Sequence, residues 1–310
     1  MADGAGFDPL QLTSEASLNR TRIAALRGAE RRWIGRPAFD LLSRAALERL
    51  ARATGTARPE RVAVIFGRRL GHLVATLLTE HAAAPGESAW REAYLRHWRQ
   101  VEHVWLGGGL AAALGQALLA ATRTEAARLG ADAVTIDVAP QPAVLALVGL
   151  ARTFGVANGR GVVLDFGHTL VKRGVAEICA NDLRGLHAMP EVTTRDNEVV
   201  EFVIDTVAET VSAAREQFGA LLPSVKVSLA SYMANGRPVD SHSTYSPLGA
   251  LEPREIAAEI TARCGAALDI EFFHDGTIAA RGLPHSPHAA LIMLGTGLGV
   301  GFPPSGATRA

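Results

Sequence analysis

The chain has 310 residues, 48% hydrophobic and 20% charged, and its 31 basic and 31 acidic side chains give a formal net charge of zero. This length suits a globular protein with large cores, and the neutral balance gives no electrostatic reason to expect a nucleic-acid partner. Two distant cysteines, Cys179 and Cys264, argue against a disulfide framework or zinc site. No run approaches the ~20 apolar residues of a membrane helix, and the acidic N-terminus lacks an apolar signal core, so the expectation is a cytoplasmic protein with no membrane partner.

Residues 1–17 read as a loose lead. Residues 18–55 are helical in pattern, with Leu41, Leu42, Ala45, Ala46, Leu47, Leu50 and Ala51 on one face and Gly55 suited to the end. Over 60–80, Val64, Phe66, Leu70, Leu73, Val74, Leu77 and Leu78 recur at near-helical spacing. Between 82 and 99, a Pro85-Gly86 turn precedes a helix whose Trp90, Tyr94 and Trp98 form a stripe for core or subunit packing, or for stacking on a ligand. Val104-Trp105-Leu106-Gly107-Gly108-Gly109-Leu110 then runs from a strand into a helix over 111–128. Three glycines at such a junction admit a ligand against the backbone, and equally a tight packing of helix on strand. A strand over 133–138, breaks at Pro140 and Pro142, and a helix over 143–153 follow; Phe154 to Arg160 reads as a crossing between two lobes.

From Gly161 to Val175 the pattern is a β-hairpin with an acid at its mouth. Asp165 ends the apolar run Val162 to Leu164, where a lone carboxylate suits a hydrated Mg²⁺. Gly167 lets backbone amides approach a phosphate, and Thr169 adds a hydroxyl; the same residues also suit an ordinary turn. Strands over 176–179 and 186–189 flank a turn at Arg184-Gly185. A helix over 196–218 carries Val199, Val203, Val207 and Val211 on one face. A strand over 225–229 leads into Ala230-Ser231-Tyr232-Met233-Ala234-Asn235-Gly236, where Ser231 and Asn235 offer donors and acceptors, although Asn235-Gly236 also suits a plain turn. A helix over 253–264 and a strand over 269–273 lead to His274-Asp275. Finally, an apolar strand from Ala289 runs into Gly295-Thr296-Gly297, and a glycine-spaced strand leads out. A dinucleotide fingerprint needs a helix next and an acid about 20 residues on; Pro303 and Pro304 follow instead, so a hairpin with phosphate-facing amides is the better reading.

Three of these clusters resemble the motifs of the sugar kinase, actin and heat-shock chaperone ATPase superfamily. Asp165-Phe166-Gly167-His168-Thr169 resembles its first phosphate motif. Leu294-Gly295-Thr296-Gly297-Leu298-Gly299 resembles its second, in a form close to that of ROK-type sugar kinases, and Leu106-Gly107-Gly108-Gly109-Leu110 resembles its adenosine motif. Phe273-His274-Asp275-Gly276-Thr277-Ile278-Ala279-Ala280 is similar to the segment that holds the ROK catalytic aspartate. The adenosine motif ends the family's chains and here comes first, which reads as a circular permutation.

The resemblance implies an α/β, two-lobed actin-like ATPase (ribonuclease H-like) fold, circularly permuted. It implies a nucleotide lobe from 1–157 joined by 289–310, and a first-phosphate and substrate lobe from 158–288. The implied activity is transfer of the γ-phosphoryl group of ATP, with Mg²⁺, to a hydroxyl of a sugar or sugar-like molecule. Asp275 would be the general base, and Asp165 would hold Mg²⁺ through water. Gly167, His168, Thr169, Lys172, Gly295, Thr296 and Gly297 would meet phosphates, and Gly107, Gly108 and Gly109 the adenosine. Ser231, Asn235, Gly236 and His274 would meet the acceptor. A homodimer is common among such relatives. Two departures stand out: His168 replaces the usual second glycine, and His274 replaces an asparagine that helps bind sugar. The family's Cys-rich zinc loop is missing. The stretch Ser43 to Gly55 also resembles the helix-turn-helix of ROK repressors, which implies the alternative of a non-catalytic, sugar-sensing, DNA-binding regulator.

Overall fold

The computed structural model describes residues 38–54, 59–79, 89–239, 243–284 and 288–303. The expectations for residues 1–37, Gly55, the Pro85-Gly86 turn and the Trp90 side chain lie outside what is described. In chain order the elements are α1 (Ala38–Leu42), α2 (Arg44–Thr54), α3 (Pro59–Thr79), α4 (Ala89–Trp98), β1 (His103–Gly107), α5 (Gly109–Arg128), β2 (Thr135–Val138) and α6 (Leu145–Ala151). There follow β3 (Asn158–Phe166), β4 (Leu170–Cys179), β5 (Asp182–Thr193), α7 (Val199–Phe218), β6 (Ser224–Leu229), β7 (Met233–Ala234) and β8 (Arg237–Pro238). A 3₁₀ turn (Ser246–Ala250), α8 (Pro253–Cys264), β9 (Asp269–His274), α9 (Asp275–Arg281), β10 (Ala289–Leu294) and β11 (Leu298–Gly301) complete this α/β chain. Among the described residues it divides into two compact units, one of residues 38–145 with 288–303, the other of Ala146–Pro284.

In the first unit the strand order is β11-β10-β1-β2. β10, β1 and β2 run parallel, and β11 returns antiparallel to β10. Val104, Leu106, Ala290 and Ile292 bury one sheet face in a core with Phe66, Leu70 and Leu73 of α3 and Leu118 of α5. Helix α3 approaches α5 closely because glycines stand at the contact: a Cβ on Gly67 would lie 2.5 Å from the Leu118 carbonyl oxygen, and one on Gly71 2.7 Å from that of Thr122. Contrary to the expectation from sequence, Glu60–Thr79 is long and apolar enough to cross a membrane, but 67% of that window is buried inside the protein. Its apolar face is spent on the core. The predicted 41–51 face is buried at Leu41, Leu42, Ala46 and Leu50. Ser43 divides α1 from α2, its Oγ accepting the Ala46 N–H at 3.2 Å as an N-cap. Tyr94 and Trp98 are fully buried and meet edge-on at 6.2 Å, so this part of the aromatic stripe is core.

In the second unit the order is β5-β4-β3-β6-β9, an antiparallel meander of three strands continued by two parallel ones. Val162, Leu164 and Phe166 of β3 pack with Val227 and Leu229 of β6 against Val203, Val207 and Val211 of α7 and Ile256 and Ile260 of α8. Alternation along the strands sends Asp165 and Ser228 to the opposite face. Two boundaries differ from the sequence reading. The turn between β4 and β5 is at Ala180-Asn181, with φ of 54° and 62°, and Arg184-Gly185 falls inside β5. A two-residue turn with both φ positive matches the twist of paired strands, and Asn158 Oδ1 accepts the Ala180 N–H at 3.2 Å. Residues 158–160, read as part of a crossing, begin β3 and pair with Cys179 to Glu177.

Candidate functional site

The parallel strands of the second unit deliver their polar residues to one edge. Asp165 stands one residue before the end of β3, Ser228 one before the end of β6, and His274 at the end of β9, directly before Asp275. The registers put Asp165 beside Ser228, and Ser228 beside Phe273. Residues at positions 165, 228 and 275 therefore converge at the carboxyl ends of neighbouring parallel strands, where ligands of open α/β sheets bind.

Asp165 is partly buried. Its Oδ1 accepts the Ser228 hydroxyl at 2.8 Å, and Lys172 is its paired residue on β4. Burial pushes the Asp165 carboxyl above its ordinary range; Lys172 pulls it down, Asp275 raises it again, and the Ser228 hydrogen bond opposes. Among the described residues no cluster of three or more His, Cys, Asp or Glu is suited to hold a metal. Mg²⁺ needs fewer, since it keeps most of its waters and takes one or two carboxylates. Two acids close enough for one to raise the other, with a hydroxyl beside them, fit that requirement.

The hairpin after Asp165 is pinned through one carbonyl. The Gly167 oxygen accepts Tyr245 Oη at 2.7 Å and Thr194 Oγ1 at 2.8 Å. The Gly167 N–H, expected to face a phosphate, donates to the Leu170 oxygen at 3.1 Å, and the Thr194 N–H donates to the Thr169 oxygen at 3.0 Å. Burial pushes the Tyr245 phenol well up, so it stays a donor. His168 and Thr169 are exposed at the tip, and His168 is not among the residues with positive φ, so replacing the usual glycine there brings no left-handed strain.

At the end of β9, Asp275 is partly exposed and accepts the Gly276 N–H at 2.7 Å. His274 is 4% exposed, caps α9 by accepting the Thr277 N–H, and stacks on Tyr232. Ser231 is 2% exposed, and its hydroxyl has no hydrogen-bond partner among the described residues. Asn235 and Gly236, with φ of 51° and 74°, form the tip of the β7–β8 hairpin.

The glycine clusters of the first unit also share one edge. Gly107 ends β1 opposite Met293 of the parallel strand β10, and Gly295-Thr296-Gly297 follows that strand. Gly108 adopts φ 88° and ψ 171°, and its Cβ would lie 2.4 Å from the Leu294 oxygen. Its N–H donates to the Pro142 oxygen at 2.7 Å. Among the described residues, no heavy atom beyond its chain neighbours and its own helix backbone lies within 4 Å of where a Cβ of Gly109 would be. The Gly295 N–H donates to the Gly297 oxygen at 3.1 Å inside its turn, and the Thr296 oxygen accepts the Arg44 N–H at 3.4 Å.

Sequence reasoning missed Ser228, Tyr245 and Thr194. Ser228 had a signal: with Lys226 it alternates against Val225, Val227 and Leu229 on a single strand. Tyr245 and Thr194 had none, because only folding brings them to Gly167.

No protein-family model matches the chain, and no curated protein matches it. Among solved structures, an inorganic polyphosphate/ATP-glucomannokinase from Arthrobacter sp. strain KM is 23% identical over 47% of this chain and 58% of its own, with a TM-score of 0.36. A ROK family glucokinase from Streptomyces griseus, solved with glucose and AMPPNP, is 23% identical over 47% of this chain and 45% of its own, with a TM-score of 0.34. The ethanolamine utilization protein EutJ from Carboxydothermus hydrogenoformans is 14% identical over 72% and 73%, with a TM-score of 0.35. The chain spans about half the length of the first two. At TM-scores below 0.5 these likenesses assign no activity.

Proposed function

We propose that the chain is an ATP- and Mg²⁺-dependent phosphotransferase acting on a hydroxyl of a sugar or sugar-like small molecule, a circularly permuted member of the ROK-like sugar kinases. The observation that carries this reading is the convergence of Asp165 on β3, Ser228 on β6 and Asp275, directly after β9, at one carboxyl edge, from positions spread over 165–275 of the sequence. Phosphoryl transfer asks a protein for positioning and charge neutralisation more than for covalent help, and this edge offers both.

Asp275 would accept the proton of the acceptor hydroxyl as its oxygen bonds to the γ-phosphorus and the bond from phosphorus to ADP breaks. Lys172, with the hydroxyl of Thr169 and the exposed His168, would face phosphate oxygens, while Gly167 braces the turn that presents them. Asp165, supported by Ser228, would hold Mg²⁺ through water; bound there, the cation would neutralise phosphate charge. Gly107, Gly108 and Gly109 are assigned to the adenosine, and Gly295, Thr296 and Gly297 to phosphate. The unpartnered Ser231 hydroxyl is the best-supported acceptor contact, because a buried polar group without a partner is costly and a substrate hydroxyl would satisfy it. Asn235 and Gly236 would border it.

The test is ADP release with Mg²⁺ across a panel of sugars, cyclitols and nucleosides, with Asp275→Asn alongside. Acceptor-dependent release that collapses in the variant is the expected result. ATP binding without turnover on any acceptor would favour a non-catalytic sensor, and no ATP binding would overturn the reading.

A further inference from the structure

His274 presents two different faces to the protein. As the N-cap of α9, its Nδ1 accepts the Thr277 N–H at 3.2 Å and lies 3.0 Å from Thr277 Oγ1. A ring nitrogen that accepts a backbone N–H carries no proton, so in the neutral imidazole the proton sits on Nε2. Nε2 lies 3.4 Å from Asp275 Oδ1. The ring is 4% exposed and lies nearly flat on Tyr232, with centroids 5.8 Å apart at 25°, which holds its plane. The same Oδ1 accepts the Gly276 N–H at 2.7 Å.

We infer that His274 is a positioning residue for Asp275. The Gly276 N–H hydrogen-bonds Oδ1 and the Nε2 edge of His274 faces the same oxygen at 3.4 Å; together they hold the carboxylate against rotation, and Oδ2 is the oxygen presented to an acceptor hydroxyl. This rests on the reading of Asp275 as the base, and it replaces a substrate contact with a role inside the protein. Capping alone does not account for a histidine here, because Ser, Asn or Asp caps a helix as well. Only a side chain with a second donor on its far edge caps α9 and restrains Asp275 at once.

The experiment uses the full chain. Ring-¹⁵N spectra of wild type and Asp275→Asn report the His274 tautomer. Turnover of MgATP with D-glucose, D-mannose and myo-inositol is compared among wild type, His274→Asn and His274→Gln. An asparagine oxygen takes the place of Nδ1 and keeps the cap; a glutamine amide reaches the place of Nε2 and restores the donor. We expect the Nε2–H tautomer in wild type and a shifted Nε2 resonance in Asp275→Asn. His274→Asn should melt like wild type and lose about tenfold in kcat, part of the roughly 10²–10⁴-fold that a positioned base supplies. Its acceptor KM should stay within about twofold, and His274→Gln should regain part of kcat. A proton on Nδ1, an unchanged kcat, or a rise in acceptor KM alone would overturn the inference. If wild type turns over none of the three probes, the kinase reading fails on those acceptors, while the tautomer and its response to Asp275→Asn still decide whether the two side chains are coupled.

Discussion

Ser228 donates its hydroxyl to Asp165 Oδ1 at 2.8 Å across the parallel pair β3–β6. This bond joins the acid at the mouth of the central hairpin to the strand that leads into the Ser231 loop. A hydrogen bond to a charged group contributes about 1.5–3 kcal/mol. Ser228→Ala should therefore lower the melting temperature by several degrees, as a loss of about 1.5–3 kcal/mol implies, and should weaken MgATP-dependent turnover by roughly tenfold or more. Steady-state kinetics beside a thermal melt check it; unchanged turnover would detach Ser228 from the site.

Asp165 itself should trade stability for function. Its carboxyl is raised in the folded state, by burial first, while in the unfolded chain it titrates near 3.9. The unfolded state thus releases the proton first as pH rises. The stability that the protonated acid contributes is complete below the unfolded value and lost as pH rises through the folded one. Asp165→Asn suffers no such loss. Ligand-free Asp165→Asn should gain stability over wild type as pH rises from about 4 to 8, while turnover collapses. Denaturant titrations across that window decide it, and a gap that stays constant with pH refutes it.

Gly108 occupies a conformation open essentially to glycine alone, φ 88° with ψ 171°, and has the Leu294 oxygen where a Cβ would go. Gly108→Ala should cost about 2 kcal/mol or more, from backbone strain plus the collision. Gly109→Ala, with open space at its Cβ, should be near neutral for folding. Equal losses in a urea titration would contradict this.

Glu125 is 4% exposed beside the fully buried His72, whose Nε2 stands 2.7 Å from Glu125 Oε1, and Arg128 donates to the same carboxylate at 2.6 Å. Burial pushes the carboxyl up, but Arg128 and His72 outweigh it and hold it below its ordinary range. Glu125→Ala removes the buried carboxylate that His72, Arg128 and, at 3.8 Å, Arg68 share, and should cost about 3 kcal/mol. A loss under about 1 kcal/mol in equilibrium unfolding would show the pair adds little.

The stability of the β4–β5 hairpin should rise on relieving its turn. Ala180 has φ 54°, a left-handed conformation that costs a residue with a Cβ about 1–2 kcal/mol. Ala180→Gly should gain roughly 0.5 kcal/mol after glycine's extra unfolded-state entropy, visible as a higher melting temperature.

Local pattern and turn chemistry were enough to read the strand that carries Asp165 near its end, the glycines at the end of β1 and after β10, the long helices α3 and α7, and the strand that leads to His274-Asp275, which runs one residue further than read, through His274. Each depends on residues near one another in the chain, with periods of 2 or 3.6 that a one-dimensional text displays. The β4–β5 turn was not legible, because Ala180-Asn181 carries no strong turn signature while Arg184-Gly185 does. There, strand pairing overrode local preference.

What only tertiary structure decided is which side chains meet. Sequence marks Asp165 and Asp275 as candidates, but the parallel registers of β3, β6 and β9 bring them to one edge with Ser228 between. The resemblance assigns His274 to the acceptor; in the fold its Nδ1 caps α9 and its Nε2 stands 3.4 Å from Asp275 Oδ1. The Gly167 carbonyl gains Tyr245 and Thr194 from 78 and 27 residues away. Such pairings come from strand order and register, which minimise unburied apolar surface over the whole unit, and no local spacing encodes them.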